Sequence, residues 1–235
     1  MTEPINTREK ILQAASACFL EDGYEHTSVA RIRERSGVSN GALFHHFPSK
    51  DAILGALYVD AIGSAQRSLY AVLARKPDTL RQTIRGVIES ILRWTVKHPD
   101  DAQLVYSIGH LERDSPAREE LDAQNRQLMD AVNETLAPFV ESGELRRMPN
   151  LALISVVTGP AHHICQYWLI DRENMPEPIG LLDVLTDAAV AGITGTPAEG
   201  TGAQPARRGR VTVELVDADG NPAGGGSAQI ELEER

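Results

Sequence analysis

The chain has 235 residues, enough for one large domain or two small ones with a real hydrophobic core, which excludes peptide hormones and fibrous proteins. It contains 23 Lys and Arg against 33 Asp and Glu, and the resulting net charge of −10 excludes a general binder of polyanions. Cys18 and Cys165 are its two cysteines, and no basic and apolar signal segment opens the sequence, so we expect a reduced cytoplasmic protein.

Basic residues are concentrated in one segment of this acidic chain. Residues 26–50 contain three arginines and one lysine against a single glutamate, a net charge of +3, and three histidines also fall there. The segments before and after it, 1–25, 51–194 and 195–235, are each acidic. Any surface for nucleic acid must therefore be local, and residues 26–50 are the candidate.

Three helices are predicted at the start of the chain, each preceded by a side chain that can cap it. The predicted helices cover 7–22, 28–36 and 40–46. Their predicted caps are Asn6, then Thr27 or Ser28, then Ser39. Gly37 stands between the second and third helices, where it can adopt the positive φ that other residues adopt only at a cost. Two short helices around one glycine turn are a helix-turn-helix arrangement.

The third helix has the residue types that a DNA recognition helix needs. Its first positions, 39–42, are small or polar, so they can approach base edges, while Leu43 anchors the helix to those behind it. The amide of Asn40 can read adenine in the major groove, and His45 can stack on a base methyl group or donate to a phosphate. Lys50 is expected to contact a phosphate at the start of a fourth helix.

The run over residues 27–51, TSVARIRERSGVSNGALFHHFPSKD, resembles the signature of the tetracycline-repressor (TetR) family. Together with the first helix, the resemblance covers about the first fifth of the chain. It implies an all-α regulator with a three-helix DNA-binding domain, a larger helical domain for ligand binding and dimerisation, and a double-stranded DNA partner. It also places the following residues where family members touch DNA: Ser28, Ala30, Ser39, Asn40, Gly41, Phe44, His45, His46 and Lys50.

The sequence departs from the family pattern at two positions. Phe44 stands where tyrosine is frequent and lacks the hydroxyl that would bind a phosphate, so His46 or Lys50 must supply that contact. Arg33 stands where alanine is usual, at a close crossing of two helices. Either its aliphatic stem packs while its head reaches toward phosphate, or the crossing is slightly opened.

The rest of the chain to residue 194 predicts further helices, whose apolar residues recur at helical spacing. We expect helices over 49–75, from about 80 to 98, from 100 to 111, from 116 to 143, from 150 to 171 and from 178 to 193. The uncharged stretch 151–170 holds too many polar groups to cross lipid, which predicts a buried helix and no membrane partner.

The last two predicted helices are apolar around more than one face, which indicates a subunit interface. The resemblance implies that they form a four-helix bundle with a second copy, and the alternative is a central core helix. A two-fold homodimer would place two recognition helices on successive major grooves and predicts a palindromic operator.

A small-molecule pocket is expected between the helices of the larger domain, lined by aromatic and neutral polar residues. The candidates are Trp94, Tyr106, His110, His162, His163, Cys165, Gln166 and Tyr167. His162 and Cys165 share a helix face, but no spacing typical of a metal site supports them, so we expect neither metal nor cofactor. No motif of a hydrolase, phosphate-binding loop or dinucleotide fold is present, which argues against an enzyme.

The sequence thus predicts a ligand-responsive DNA-binding regulator, most simply a repressor that binds its operator as a homodimer and is released by a small-molecule effector. The alternative is a sensor or adaptor of the same fold that does not bind DNA specifically. We expect a DNA-binding domain over 5–65, a ligand-binding and dimerisation domain over 66–194, and a Gly- and Pro-rich flexible tail over 195–235. Alternating segments within that tail are compatible with a small β-hairpin.

Overall fold

The computed structural model describes residues 6–107 and 115–194, together with the backbone of two strands nearer the C-terminus. Its internal contacts divide the chain into two units, with the boundary between Gly195 and Thr196. The end of the helix expected up to residue 111 lies outside the described residues, as does most of the tail.

The first unit is helical in its described part, which confirms the all-α fold class predicted from the sequence. Its helices are α1 (Thr7–Asp22), α2 (Val29–Ser36), α3 (Asn40–His46), α4 (Lys50–Leu73), α5 (Leu80–Lys97), α6 (Pro99–Ser107), α7 (Pro116–Glu141), α8 (Asn150–Ile170) and α9 (Leu182–Ile193). A 3-10 turn, Pro178–Leu181, leads into α9. Within the described ranges, no helix combines the length and the apolar composition needed to cross a membrane.

Most helix starts follow from a side chain that accepts the first free backbone amide. The caps of α1, α2, α3, α4 and α7 do so, with the acceptor three residues before the donor: Asn6, Ser28, Ser39, Ser49 and Ser115.

The residues that precede α5 and α8 differ from those that the sequence suggested as caps. The cap of α5 is Thr79, whose hydroxyl accepts from the amide of Gln82, although the sequence suggested a restart at Pro77 and Asp78. Asn150 does not cap α8 but is its first helical residue. Both helices begin at the predicted residue, Leu80 and Asn150, so only the capping residue differs.

Two apolar clusters build the core of this unit. In the first, Ile11, Ile32, Leu43 and Ile53 from α1 to α4 are all fully buried, so α3 is fixed by one leucine on its inner side. The second is centred on α5, which packs against α4, α8 and α9 and buries Leu80 to Leu92 at helical spacing. Burial of side chains of this size supplies the main stabilisation of each cluster, about 1.5–3 kcal/mol per side chain.

Glycines lie at close helix crossings, and Gly86 and Gly192 are two examples. A β carbon on Gly86 of α5 would lie 2.5 Å from Cγ1 of Val72 on α4, and one on Gly192 of α9 would lie 2.8 Å from Cγ1 of Val156 on α8. Neither pair could stay as close if the glycine carried a side chain. By contrast, a β carbon on Gly63 of α4 would meet only the flexible ends of long side chains, the nearest at 3.4 Å.

The outer face of α8 and α9 leaves large apolar side chains exposed. Leu151 and Ile170, near the two ends of α8, are 77% and 82% exposed, and Val184 of α9 is 67% exposed. Several large apolar side chains exposed on two packed helices are typical of an interaction surface.

The second unit contains an antiparallel hairpin of strands β1 (Arg208–Val216) and β2 (Pro222–Glu231). Val211 pairs with Ala228 and Val213 with Gly226, and the register shifts between Leu215 and Val216. The hairpin that the alternating sequence suggested is thus formed by the backbone.

Candidate DNA-binding surface and ligand cavity

The turn between α2 and α3 has the geometry of a helix-turn-helix. Gly37 adopts the left-handed conformation, with φ of 67°, and its amide donates to the carbonyl of Arg33 at the end of α2. The hydroxyl of Ser39 then accepts from the amide of Ala42 and starts α3. Because Leu43 is fully buried behind it, the N-terminal turn of α3 faces outward on a fixed support.

Eight of the nine residues that were matched to DNA-contacting positions are exposed on this surface. They are Ser28, Ala30, Ser39, Asn40, Gly41, Phe44, His45 and His46. The amide of Asn40, in the first turn of α3, has no hydrogen-bond partner within the described part of the chain, so it is open to an external one. Phe44 is 47% exposed, so a large part of its apolar ring contacts solvent.

Acidic residues of α1 offset much of the positive charge that was counted in segment 26–50. Arg31 forms ion pairs with Asp22 and Glu21, and Arg35 bonds to Glu21 at 2.5 Å. The hydrogen bond from Arg35, with its charge and that of Arg31, lowers the pKa of Glu21. Arg33 is exposed and forms no ion pair with any described residue. Of the three arginines, Arg33 is therefore the one with its charge available to a polyanion.

Lys50, the ninth residue, is turned toward the protein. Its Nζ donates to the backbone carbonyls of Tyr24 at 2.8 Å and Thr27 at 3.0 Å, and it lies 4.1 Å from the centroid of the Tyr24 ring. The hydroxyl of Tyr24 in turn bonds to the carboxylate of Asp51. The half-buried ammonium thus links the turn between α1 and α2 to the start of α4, where the sequence suggested only a phosphate contact.

Helices α4 to α8 surround a cavity of about 450 Å³. A volume of this order is typical of sites for small molecules, which measure about 300–1,000 Å³. Its apolar lining is Ile62, Ala65, Leu69, Leu73, Ile84, Val87, Ile91, Trp94, Val105, Leu128, Met129, Val132, Leu136, Leu153, Ile154 and Val157. Its polar lining is Gln66, Thr83, Ser90, Tyr106, Asn125, Thr158 and His162. No Lys, Arg, Asp or Glu is among the described residues of this wall.

Two hydrogen-bonded pairs mark the polar parts of the cavity. Gln66 of α4 donates to the side chain of Asn125 on α7 at 2.9 Å. The hydroxyl of Tyr106 on α6 lies 2.7 Å from Nδ1 of His162 on α8. Partial burial raises the pKa of Tyr106 and lowers the pKa of His162, which favours the neutral form of both side chains although His162 keeps contact with solvent.

Three of the eight residues expected to line a pocket do so, namely Trp94, Tyr106 and His162. Cys165 is buried in the adjacent core, while His163, Gln166 and Tyr167 lie on the exposed side of α8. The rings of His163 and Tyr167 contact each other edge to face there, with centroids 4.9 Å apart. His110 lies outside the described residues.

The sequence did not single out Gln66 and Asn125 as lining residues. Each is a polar residue within a long helix, where an amide normally indicates a solvent-facing position, so no local signal marked them. Across residues 6–107 and 115–194, no group of three His, Cys, Asp or Glu side chains is arranged to hold a metal ion.

Comparison with known proteins identifies the helix-turn-helix. Residues 11–57 match the family model described as bacterial regulatory proteins of the tetR family. The transcriptional repressor AcnR of Corynebacterium glutamicum is 32% identical over 145 residues, which are 61% of this chain and 71% of that protein. The AcnR of Corynebacterium efficiens is 38% identical over 92 residues, or 39% of this chain, and this match spans only 46% of that protein.

Solved structures show the same fold. A TetR family transcription regulator from Marinobacter aquaeolei VT8 has a TM-score of 0.67 at 17% identity, covering 81% of this chain and 96% of that one. The regulator FadR from Bacillus subtilis, solved in complex with stearoyl-CoA, has a TM-score of 0.64 at 18% identity, covering 78% of this chain and 98% of that one. The relatives are transcriptional regulators and not enzymes, and with its exposed recognition helix this chain belongs to the TetR family of DNA-binding transcriptional regulators.

Proposed function

We propose that the chain is a repressor that binds a palindromic operator as a homodimer and leaves it when a small molecule fills the cavity. The observation that carries the proposal is the exposed N-terminal turn of α3, with the amide of Asn40 open and Leu43 holding the helix from behind. In a helix-turn-helix, this is the part that meets base edges in the major groove. We propose residues 5–65 as the DNA-binding domain and 66–194 as the effector domain.

Direct base reading falls to Asn40 in this proposal, because an amide bonds adenine at two atoms at once. The other predicted DNA contacts then fix position and orientation through phosphate and sugar. They are Ser28, Ala30, Ser39, Gly41, Phe44, His45 and His46. Lys50 acts through the helices that it joins, and the available charge of Arg33 adds a phosphate contact on α2.

The homodimer is supported by the exposed apolar face of α8 and α9. This face exposes the side chains of Leu151, Ile170 and Val184. Contact with the same face of a second copy would remove these side chains from water. A two-fold axis makes such a contact self-complementary and gives two recognition helices related by symmetry. The operator would then be an inverted repeat with half-sites about 34–36 Å apart along the duplex.

Effector binding is supported by the size and apolar wall of the cavity. FadR from Bacillus subtilis was solved with stearoyl-CoA, an apolar chain on a polar carrier, and has this fold. The ligand would lower operator affinity if it fits the cavity only in a state of the dimer whose two recognition helices cannot reach both half-sites together. The strength of release is then set by the difference in ligand affinity between this state and the state that binds DNA.

The test is a selection of bound duplexes from a random DNA pool with the full chain at about 0.15 M salt, where weak binding to polyanions is largely screened. Recovery of one inverted repeat supports the proposal. Asn40→Ala should then reduce discrimination at one base pair by about 1–3 kcal/mol. Asn133→Ala, which removes an exposed amide from α7, is the matched control. Equal losses on matched and mismatched operators for Asn40→Ala contradict base reading by Asn40.

A second candidate function is a sensor of the same fold without specific DNA binding. It is favoured by the ion pairs of Arg31 and Arg35 with α1 and by the inward bonds of Lys50, which leave little positive charge on the surface of α2 and α3. No enrichment of any duplex by a folded, dimeric protein, with or without ligand in the cavity, would favour this candidate.

A further inference from the structure

The described wall of the cavity offers hydrogen bonds but no formal charge. Its polar groups are amides, hydroxyls and one imidazole, and the partial burial of that imidazole favours its neutral form. An ionised group that enters such a wall loses its hydration and gains no counter-charge, which strongly disfavours it. The wall therefore selects against a ligand whose charged group must lie inside.

We propose that the effector is an uncharged, mostly apolar molecule with one hydrogen-bonding oxygen, and that this oxygen binds beside Tyr106 and His162. The inference rests on the proposed function, since it names the chemical class of ligand that the same cavity takes. It does not depend on whether the ligand releases DNA, and so it can be tested by binding alone.

The Tyr106 and His162 pair is the better oxygen site because one of its nitrogens has no described partner. The tyrosine hydroxyl lies 2.7 Å from Nδ1, and within the described ranges no side chain or carbonyl bonds to Nε2. In a neutral imidazole one nitrogen accepts and the other donates. When the hydroxyl donates to Nδ1, Nε2 carries the proton and can donate to a carbonyl or hydroxyl oxygen of the ligand.

The side chains of the other polar pair already use part of their hydrogen-bonding capacity on each other. Gln66 and Asn125 are bonded to each other at 2.9 Å, and Gln66 is buried. The rest of the wall is mostly aliphatic, with Trp94 as its large aromatic member, and the hydroxyls of Thr83, Ser90 and Thr158 donate to carbonyls of the preceding helical turn. A ligand with its oxygen at His162 can therefore extend an apolar body along the rest of the cavity without leaving a polar group unpaired.

The experiment compares three probes with the same apolar chain, 2-decanone, decanoate and decylammonium, by calorimetry on the full chain at pH 7.5. We expect 2-decanone to bind and decanoate to bind roughly 1,000-fold more weakly, since a carboxyl group of pKa about 4.3 is neutral in only about one molecule in 1,000 at that pH. Decanoate affinity should rise about tenfold for each pH unit of acidification down to pH 6, while that of 2-decanone should not.

Paired variants locate the oxygen. His162→Leu should weaken 2-decanone binding roughly five- to tenfold, the effect of one net hydrogen bond. His163→Leu changes the adjacent histidine of α8, which lies outside the cavity, and should leave binding unchanged. Tyr106→Phe should likewise weaken 2-decanone binding, and its control Tyr167→Phe should leave binding unchanged.

Each outcome separates this inference from the proposed function. Decanoate or decylammonium binding as tightly as 2-decanone overturns the inference, while the cavity stays a ligand site. Binding of none of the three by a cooperatively folded protein overturns the inference together with the effector site. Selective binding of 2-decanone without any change in operator occupancy supports the inference and overturns release by ligand.

Discussion

Replacing Lys50 with methionine distinguishes a residue that holds the DNA-binding helices together from one that binds phosphate. Methionine keeps most of the apolar stem and removes the ammonium group. That group lies 2.8 Å and 3.0 Å from the carbonyl oxygens of Tyr24 and Thr27, and 4.1 Å from the centroid of the Tyr24 ring. The variant therefore removes two charge-assisted hydrogen bonds and one cation–π contact from the junction of α1, α2 and α4.

The expected loss follows from these three contacts. A hydrogen bond to a charged group contributes about 1.5–3 kcal/mol, and a cation–π contact contributes about 0.5–1 kcal/mol at an accessible site. Lys50 is half-buried, and water can reach the carbonyls once the ammonium is gone. We therefore expect the free energy of unfolding to fall by about 2–4 kcal/mol, below the plain sum. With a urea dependence of about 2 kcal/mol per molar, the midpoint should fall by roughly 1–2 M.

Urea unfolding and the salt dependence of operator binding together form the assay. Lys10→Met is the matched control, because Lys10 is an exposed lysine of α1 with no described partner. Hydrogen exchange of the amides in the turn between α1 and α2 should accelerate in Lys50→Met and not in the control. An unchanged urea midpoint, with a salt slope smaller by about 0.9, would refute the linking role and restore Lys50 as a phosphate ligand.

Three further predictions concern the surface, the cavity and the core. Arg33→Ala should weaken binding to all operators alike and reduce the salt slope of binding by about 0.9. Arg31→Ala should change that slope less, because acidic residues of α1 already pair with Arg31. Equal slopes for the two variants in anisotropy titrations would contradict this prediction. Stability should fall as the pH decreases below about 6.5, because burial lowers the folded-state pKa of His162 and the unfolded chain binds the proton more readily. Urea unfolding between pH 7.5 and 5.5 should show a shallower dependence for His162→Leu, and an identical dependence would exclude His162 as the source. Gly86→Ala should destabilise the protein by about 1–3 kcal/mol in thermal unfolding, because its new β carbon would meet a side-chain carbon of α4. Gly63→Ala is the control and should not destabilise it. Equal effects of the two variants would argue against a close crossing at Gly86.

The ends of helices were predictable where the signal is local. A cap needs only an acceptor side chain three residues before a free amide, so Asn6 and Ser39 could be assigned from the sequence, and Ser28 was one of two candidates. Asn150 shows the limit of this rule. A capping residue needs extended backbone, and here the extended residue is Pro149, with φ of −58° and ψ of 142°, so the asparagine enters the helix instead.

The charge of the DNA-binding surface was not predictable from a count along the chain. Residues 26–50 carry a net charge of +3, but α1 folds against α2 and brings Glu21 and Asp22 to two of its arginines. The exposure of the recognition helix was predictable, because Leu43 is its one large apolar residue on the inner side. Which charges remain available depends on tertiary packing.

The cavity could be predicted only in part, for a geometric reason. Residue types marked α8 as rich in aromatic and polar groups, but they did not fix the rotation of the helix about its axis. That rotation points His162 into the cavity and His163 away from it, although the two are adjacent in sequence. Gln66 and Asn125 meet across two helices that are distant in the chain, which no local pattern reveals.

Helix α4 begins at Lys50 beside the recognition helix and ends at Leu73 in the cavity wall. Its 24 residues form a rod about 36 Å long at about 1.5 Å per residue. Such a rod acts as a lever: a tilt of only about 5° at the cavity moves its far end by roughly 3 Å, close to the rise of one base pair, about 3.4 Å. In the release that we propose, a ligand that displaces the wall by a fraction of an ångström would in this way shift the reading position by almost a base pair.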